Sequence, residues 1–99
     1  MNLYRLLAER EEIGRPVRVG LIGAGKFGAM FLSQARRTVG IHVLGIADLD
    51  LSRAREICIR TGWAAEKISA TSFADALKLG STCLTSDAEA LIRADGLDV

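Results

Sequence analysis

Apolar and polar positions along the chain form two repeats of a short apolar run followed by a helical pattern. The apolar runs are Val17–Ile22 and Ile41–Ala47, and their largely apolar character is typical of central strands covered on both faces. Residues 26–38 and 51–61 follow these runs and carry apolar side chains at helical spacing. The order strand, helix, strand, helix predicts an α/β fold with a parallel sheet and right-handed crossovers.

Each of these two helices is predicted to bury one face. The expected buried residues are Phe27, Met30, Phe31 and Ala35 in the first helix and Leu51, Ala54, Ile57 and Cys58 in the second. Asp50 or Ser52 is the expected N-cap of the second helix, and Gly62 is its expected stop.

Two flanking regions extend this pattern. Residues 2–13 predict an amphipathic helix that either caps its own domain or docks against a later domain or another subunit. The last third predicts a short helix after Ser72, a strand at residues 82–85, a helix opened by Ser86 in capping-box form, and a new strand beginning at residues 97–99.

A glycine-rich turn follows the first strand directly, with the residues Gly23, Ala24, Gly25, Lys26, Phe27 and Gly28. A strand, a Gly-x-Gly-x-x-Gly turn and a helix in that order form the dinucleotide-binding fingerprint. Gly23 would allow the tight turn, Gly25 the close approach of a pyrophosphate, and Gly28 the packing of the helix on the sheet. The pattern predicts a Rossmann-type parallel sheet with helices on both faces, and an ordinary turn between strand and helix is the alternative.

Three further side chains are candidates for cofactor binding. Asp48 ends the second strand about 20 residues beyond Gly28, where an acid normally bonds the adenosine ribose, although Asp is also a common turn former and helix cap. Arg53 lies in the first turn of the next helix and would pair with a 2′-phosphate, or else be a solvated surface arginine. Lys26 would add charge to the loop, or simply be an exposed lysine at a helix start. Asp48 favours NAD and Arg53 favours NADP, so these residues alone leave the choice open.

Composition narrows the class of protein. The 99 residues are 49% hydrophobic and 25% charged with a formal net charge of +1, which gives no electrostatic case for binding nucleic acid or a membrane surface. No apolar run approaches the roughly 20 residues that span a bilayer, and the charged N-terminus has no signal-peptide core. Cys58 and Cys83 lack metal-ligand spacing, so free thiols in a reducing cytoplasm are expected.

The chain resembles a group of NAD(P) enzymes. Val17 to Asp48, with Leu49 to Ala54 after it, resembles the N-terminal domain of homoserine dehydrogenase-like and glucose-fructose oxidoreductase-like enzymes. With the helix around Leu3 to Leu7, Thr61-Gly62-Trp63 and Ser86-Asp87 added, the chain is most similar to deoxyxylulose-phosphate reductoisomerase-like oxidoreductases, a group that carries a C-terminal SAF-type domain.

This resemblance implies an NADP-dependent oxidoreductase that acts on a small-molecule substrate, with NAD as the alternative cofactor. The metal-binding acids and catalytic lysines of such enzymes lie beyond the nucleotide domain, so no catalytic or metal-binding residue is assigned to this chain. Residues 1–16 are expected to form an N-terminal helix and residues 17–99 a Rossmann domain truncated at its C-terminal end. As a fragment, the chain is expected to be inactive alone and to form homo-oligomers.

Two other classes of function fit the same residues. The fold also serves non-catalytic modules that sense NAD(P) and regulate a partner, because a fold does not fix a function. A structural α/β domain without a ligand is the third hypothesis. Downstream sequence would separate an enzyme from a sensor, and dinucleotide affinity would separate both from the structural domain.

Overall fold

A computed structural model of the chain describes residues 3–99, with the side chains of Lys26 and Phe27 excepted. Five α-helices, three strands and one 3-10 helix occur in this part of the chain. Their order is α1 (Leu3–Glu12), β1 (Val17–Ile22), α2 (Lys26–Ala35), β2 (Ile41–Ala47), α3 (Leu51–Arg60), the 3-10 helix (Ala65–Ile68), α4 (Phe73–Leu79), β3 (Cys83–Thr85) and α5 (Ala88–Ile92). The predicted α/β fold is confirmed.

The three strands form an all-parallel sheet in the order β1-β2-β3. Val17 lies opposite Ile41 at one end of the β1–β2 pair and Ile22 opposite Ala47 at the other, with one register shift between Val19 and Gly20. Both strands therefore start at the same edge of the sheet and finish at the same edge, as the apolar runs in the sequence predict.

The chain returns to the far side of β1 after α5. The N–H groups of Asp98 and Val99 donate to the carbonyl of Arg18, and the N–H of Gly20 donates to Val99 at 2.9 Å. Successive residues of a strand direct their N–H and C=O groups to opposite sides of the strand. The N–H of Val17 donates to the carbonyl of Gly40, which directly precedes β2, so Arg18 and Gly20 face the other side. Residues 97–99 thus lie beside β1 on the edge away from β2. They bond to β1 but form no strand, so the strand predicted to begin there is not formed and the sheet has three strands.

Helices cover both faces of the sheet, and each face has its own core. On one face α2 and α3 pack over β2, and the buried side chains there are Ala24, Leu32, Ala35, Val43, Ile46, Ala54, Ile57, Cys58 and Ile68. On the other face Leu44, Ala76 and Cys83 are buried beneath Phe73, Leu77 and Leu97. A parallel strand buried on both faces must be apolar at successive positions, which explains the continuous apolar run of β2.

Two expectations about the helix faces are wrong. Met30 is 61% exposed and Leu51 is 41% exposed, although both were predicted to be buried. In α2 the deeply buried side chains are Leu32 and Ala35, so the helix is rotated toward Leu32 relative to the predicted stripe. The helix also ends at Ala35 rather than near residue 38, because the chain leaves it in a short turn toward Gly40.

The N-terminal helix α1 lies against the amino edge of the sheet without burying any of its residues. The carbonyl of Leu7 lies so close to Gly40 that a Cβ atom there would overlap it, and Gly40 has a φ of +87°. Arg10 and Asp98 form an ion pair at 3.6 Å. Among residues 3–99, no helix has the length and apolar character needed to cross a membrane.

Side-chain caps fix where the later helices begin. Asp50 accepts from the N–H of Arg53, and Ser72 accepts from the N–H of Asp75, as their sequence patterns predict. The cap of α5 differs from the prediction, because Asp87 rather than Ser86 accepts from the N–H of Ala90. The 3-10 helix Ala65–Ile68 was not predicted, since it has no apolar period of its own.

The α5 cap gives a direct test of this assignment. Replacing Asp87 by alanine removes a side-chain hydrogen bond to a helix N-terminus, and we expect it to lower the free energy of unfolding by about 1 kcal/mol. Ser86→Ala is the matched control and should change stability by less than about 0.5 kcal/mol. Urea denaturation followed by circular dichroism measures both. If Ser86→Ala lowered the free energy of unfolding more than Asp87→Ala, Ser86 would be the N-cap of α5, as the sequence pattern indicated.

Candidate dinucleotide site

Two loops meet at the carboxyl edge of the sheet. The loop after β1 begins at Gly23, whose N–H donates to the carbonyl of Ala47 at the end of β2 at 2.7 Å. The loop after β2 begins at Asp48, whose N–H donates to the carbonyl of Thr85 at the end of β3 at 2.9 Å. These bonds continue the hydrogen-bond ladder of the parallel sheet beyond the strand ends. They hold the first residues of the two loops, Gly23 and Asp48, at the carboxyl edge of the sheet.

Gly23 and Gly25 have different structural requirements. Gly23 has a φ of +83°, a conformation that L side chains rarely adopt, so the turn itself needs glycine there. Gly25 has a φ of −73°, which any residue tolerates, and it occupies the N-cap position of α2 without a side-chain cap. A Cβ atom on Gly25 would meet no atom of the described side chains or the backbone beyond its chain neighbours within 4 Å. Among the described residues, Gly25 therefore leaves open space beside the first turn of α2.

Gly28 is needed because the loop closes onto its own helix. A Cβ atom on Gly28 would lie 2.7 Å from the carbonyl oxygen of Gly23, and its next side-chain neighbour would be Leu21 at 3.4 Å. The sequence assigned this glycine to helix–sheet packing. The structure adds a tighter constraint, the contact between the helix and the glycine loop, which keeps the loop compact.

Asp48 joins the two loops through both of its carboxylate oxygens. Its Oδ2 atom accepts from the N–H of Ala24 at 2.9 Å, and its Oδ1 atom accepts from the N–H of Asp50 at 2.9 Å. These two bonds lower the pKa of Asp48, the bond to Asp50 more strongly than the bond to Ala24, and the positive charge of Arg53 adds to the effect. The carboxylate therefore stays ionised at neutral pH and holds the glycine loop in place.

Arg53 lies on the wall of a groove that reaches the glycine loop. Its N–H group is held by the Asp50 cap at 3.0 Å, which fixes the first turn of α3. Residues that line this groove between α2 and α3 are Gly25, Ala29, Met30, Arg53, Glu56, Ile57, Arg60 and Thr61. Arg53 and Gly25 thus border the same space, as the cofactor hypothesis requires.

Lys26 and Phe27 begin α2, and their backbone takes part in the helix. The roles proposed for their side chains lie outside the described residues. Ala24, the second residue of the motif, is fully buried, and its contribution is the N–H group that Asp48 accepts.

Sequence reasoning gave no role to two apolar side chains at this edge. Ile22 is 59% exposed at the end of β1, and Leu49 is 94% exposed directly after Asp48. Both flank the loops that carry the glycines and the acid, so they supply apolar surface beside polar groups. The sequence does contain a signal for the exposure of Leu49, because this apolar residue lies between Asp48 and Asp50 in a segment predicted to be a turn.

The one histidine and the two cysteines of the chain lie away from this site. His42 is near the amino edge of β2, and its Nε2 atom donates to the carbonyl of Ser81 at 2.7 Å, which joins two backbone segments. The two cysteines are free and buried, and burial raises the pKa of the Cys58 thiol to about 11. Such a thiol stays protonated at neutral pH and is a poor nucleophile.

Comparison with known proteins adds no relative: no protein-family model matches the chain, and no curated protein sequence matches it significantly.

The link between the two loops predicts a dependence of stability on pH. Asp48→Asn removes the charge that both N–H donors face, and we expect it to lower the free energy of unfolding at pH 7 by roughly 1–2 kcal/mol. Because the folded-state pKa of Asp48 lies below its ordinary value of 3.8, the advantage of the wild type is complete above that pH. It should shrink as the pH falls through the lowered folded-state pKa.

Urea denaturation of both proteins between pH 7 and pH 3 measures this difference. Asp95→Asn is a suitable control, because Asp95 is exposed and lies outside both loops. A difference between wild type and Asp48→Asn that stays constant over the whole pH range would contradict the charged link.

Proposed function

We propose that residues 17–99 form the dinucleotide-binding part of an NAD(P)-dependent oxidoreductase, with NADP as the preferred cofactor. One observation carries this proposal. The glycine loop follows β1, which pairs with β2 on one side and bonds to residues 98–99 on the other, and the acid at the end of β2 is bonded to that loop. In open parallel sheets, ligands bind outside the carboxyl ends of the strands, which is where the loop and the acid lie.

The first turn of α2 would hold the pyrophosphate. The N-cap residue Gly25 has no side chain to satisfy the N–H groups of that turn, and none of the described side chains fills the space beside it. Unsatisfied N–H groups and the positive end of the helix dipole suit a phosphate. The exposed side chains of Ile22 and Leu49 would flank the adenine ring.

Asp48 would bind the adenosine ribose while it still holds the loop. Each carboxylate oxygen accepts one backbone N–H in this structure and has capacity for a second donor. A ribose hydroxyl group would therefore share the carboxylate with Ala24 and Asp50 instead of displacing them. The loop bonds orient the carboxylate before the ligand arrives, which lowers the entropic cost of binding.

Arg53 supports NADP over NAD. Its positive charge contributes to the lowered pKa of Asp48, and its side chain borders the groove that reaches Gly25. A guanidinium group in this position would offset the repulsion between Asp48 and a 2′-phosphate, and it would bond the phosphate directly. The resemblance to reductoisomerase-like enzymes supports the same choice.

The reaction class rests on that resemblance alone. The cofactor would supply a hydride for a small-molecule substrate, and the residues of this chain would bind and orient its adenosine half. The groups that contact the substrate would lie elsewhere in a larger, homo-oligomeric and cytoplasmic enzyme. For that reason no catalytic residue is proposed among residues 17–99.

A charge placed at Gly25 tests the pyrophosphate site. Aspartate is a favourable N-cap, so Gly25→Asp should keep the free energy of unfolding within about 0.5 kcal/mol of the wild type or raise it. Its carboxylate would repel the pyrophosphate and compete for the N–H groups of α2. We expect the affinity for NADPH, measured by the fluorescence of the bound nicotinamide, to fall by at least about tenfold. An unchanged affinity, or a folded wild type that binds neither NADPH nor NADH, would overturn the proposal.

A substitution at Arg53 tests the choice of cofactor. Arg53→Ala should weaken NADPH binding by about tenfold and leave NADH binding within about twofold, because NADH has no 2′-phosphate. Arg55→Ala is the matched control: Arg55 lies on the same helix but lines a different surface, with Leu51 and Ser69. Equal weakening of NADPH and NADH by Arg53→Ala, or tighter binding of NADH by the wild type, would assign the site to NAD.

A further inference from the structure

An open cleft lies at the amino edge of the sheet, opposite the edge that carries the glycine loop. Its walls are the segment that leaves α2, the turn around Gly62, the 3-10 helix and the C-terminal end of α4, and its base includes Ile41 and Val43 of β2. None of Gly23, Gly25, Asp48 or Arg53 borders it. The cleft is therefore separate from the proposed dinucleotide site.

Positive charge is concentrated in this cleft. Its lining contains Arg18, Arg36, Arg37, Lys67 and Lys78, and Glu11 is its one acidic residue among the described side chains. The whole chain has 13 Lys and Arg residues and 12 Asp and Glu residues, so its charges nearly balance. The excess of cations is thus a property of the cleft, and a concave surface lined by one sign of charge focuses the field on a ligand of the opposite sign.

Internal contacts do not neutralise these five cations. Within residues 3–99, the ion pairs are Arg5–Glu9, Arg10–Asp98, Arg60–Glu56 and Arg93–Glu89, and none includes a cation of the cleft. The Nε atom of Arg36 donates to the carbonyl of Thr61 at 3.1 Å, and Lys67 and Lys78 lie in the last turns of their helices. Helix C-terminal dipoles favour cations there but carry no net charge, so the positive charge of the cleft persists.

Arg18 supplies a second, independent observation. It lies on β1 directly opposite His42 of β2, and its Nε atom is buried without a hydrogen-bond partner among the described residues. The neighbouring carboxylate, that of Asp98, accepts from the backbone N–H of Arg18 instead, at 2.9 Å. A donor of a charged group without an acceptor is costly. Arg18 as a whole is only partly buried, so a shift of its side chain would bring Nε to an anionic oxygen in the cleft.

We propose that this cleft binds a compact polyanion, a small molecule with two or more adjacent phosphate or carboxylate groups. Several cations around one open cleft suit several charges on one ligand better than they suit a single carboxylate. The apolar part of the lining, which includes Val39, Trp63 and Leu79, offers room for a carbon skeleton beside the charges. The site would be distinct from the dinucleotide site in both position and chemistry.

Trp63 makes the proposal measurable, because it is the only tryptophan of the chain and lines the cleft. The probe is inorganic triphosphate, titrated at low ionic strength while Trp63 fluorescence is followed. The Gly25→Asp protein serves as the background, so that the probe does not occupy the proposed pyrophosphate site. We expect a saturable change in fluorescence that sodium chloride at equal ionic strength does not produce.

Paired charge removals separate a built site from general attraction. Arg37→Gln with Lys78→Gln removes two cations of the cleft, and Arg55→Gln with Arg93→Gln removes two exposed cations that line neither the cleft nor the groove beside Gly25. The first pair should weaken triphosphate binding by at least about tenfold and the second by less than about twofold. Arg18→Met should also weaken binding, because it removes the buried donor. Thermal melts confirm that each variant is folded.

Three results would overturn the proposal: no saturable change in a folded protein, equal weakening by both pairs of substitutions, or tight binding of a single-stranded RNA by a protein that ignores triphosphate. Failure of the dinucleotide proposal would be seen differently, as absent NADPH binding by the wild type. The two outcomes are independent, because NADPH binding is measured on the wild type and the substitutions expected to weaken triphosphate binding lie at the opposite edge of the sheet from Gly25 and Arg53.

Discussion

Parallel pairing of β1 with β2 is the constraint on which the rest of the structure depends. It brings the ends of both strands to one edge, so the glycine loop and Asp48 become neighbours although 24 residues separate Ala24 from Asp48. It also requires a helix to cross between the strands, which creates the free N-terminus of α2 beside the loop. The contact between the glycine loop and Asp48 is a direct consequence of this pairing.

The same pairing gives the two edges of the sheet different electrostatic characters. Helix N-termini and their acidic caps, Asp50 and Asp87, lie at the carboxyl edge. Helix C-termini lie at the amino edge, with Lys67 and Lys78 in the last turns of their helices. A parallel α/β sheet therefore sorts charge along its strands, because residues that complement helix dipoles collect at opposite ends. The dinucleotide proposal and the polyanion proposal each use one of these edges.

The sequence predicted the elements whose signals are local. Val17–Ile22 and Ile41–Ala47 are strands with the expected bounds, and Asp50 and Ser72 cap helices as their patterns indicate. What depends on tertiary packing was predicted less well. Met30 and Leu51 are apolar residues that fit a helical stripe, but the rotation of each helix is set by contacts such as that of Leu32 with the core, which spacing alone does not reveal.

Asp48 shows why a site residue is harder to interpret than an element. From sequence, a ribose-binding acid and a turn former were alternatives, and the structure shows the turn role directly through the bonds to Ala24 and Asp50. The two roles are compatible, because a carboxylate held by backbone N–H groups keeps its charge and its remaining acceptor capacity. A residue that stabilises the loop before binding also orients the loop for binding. The structural role of Asp48 thus supports its proposed functional one.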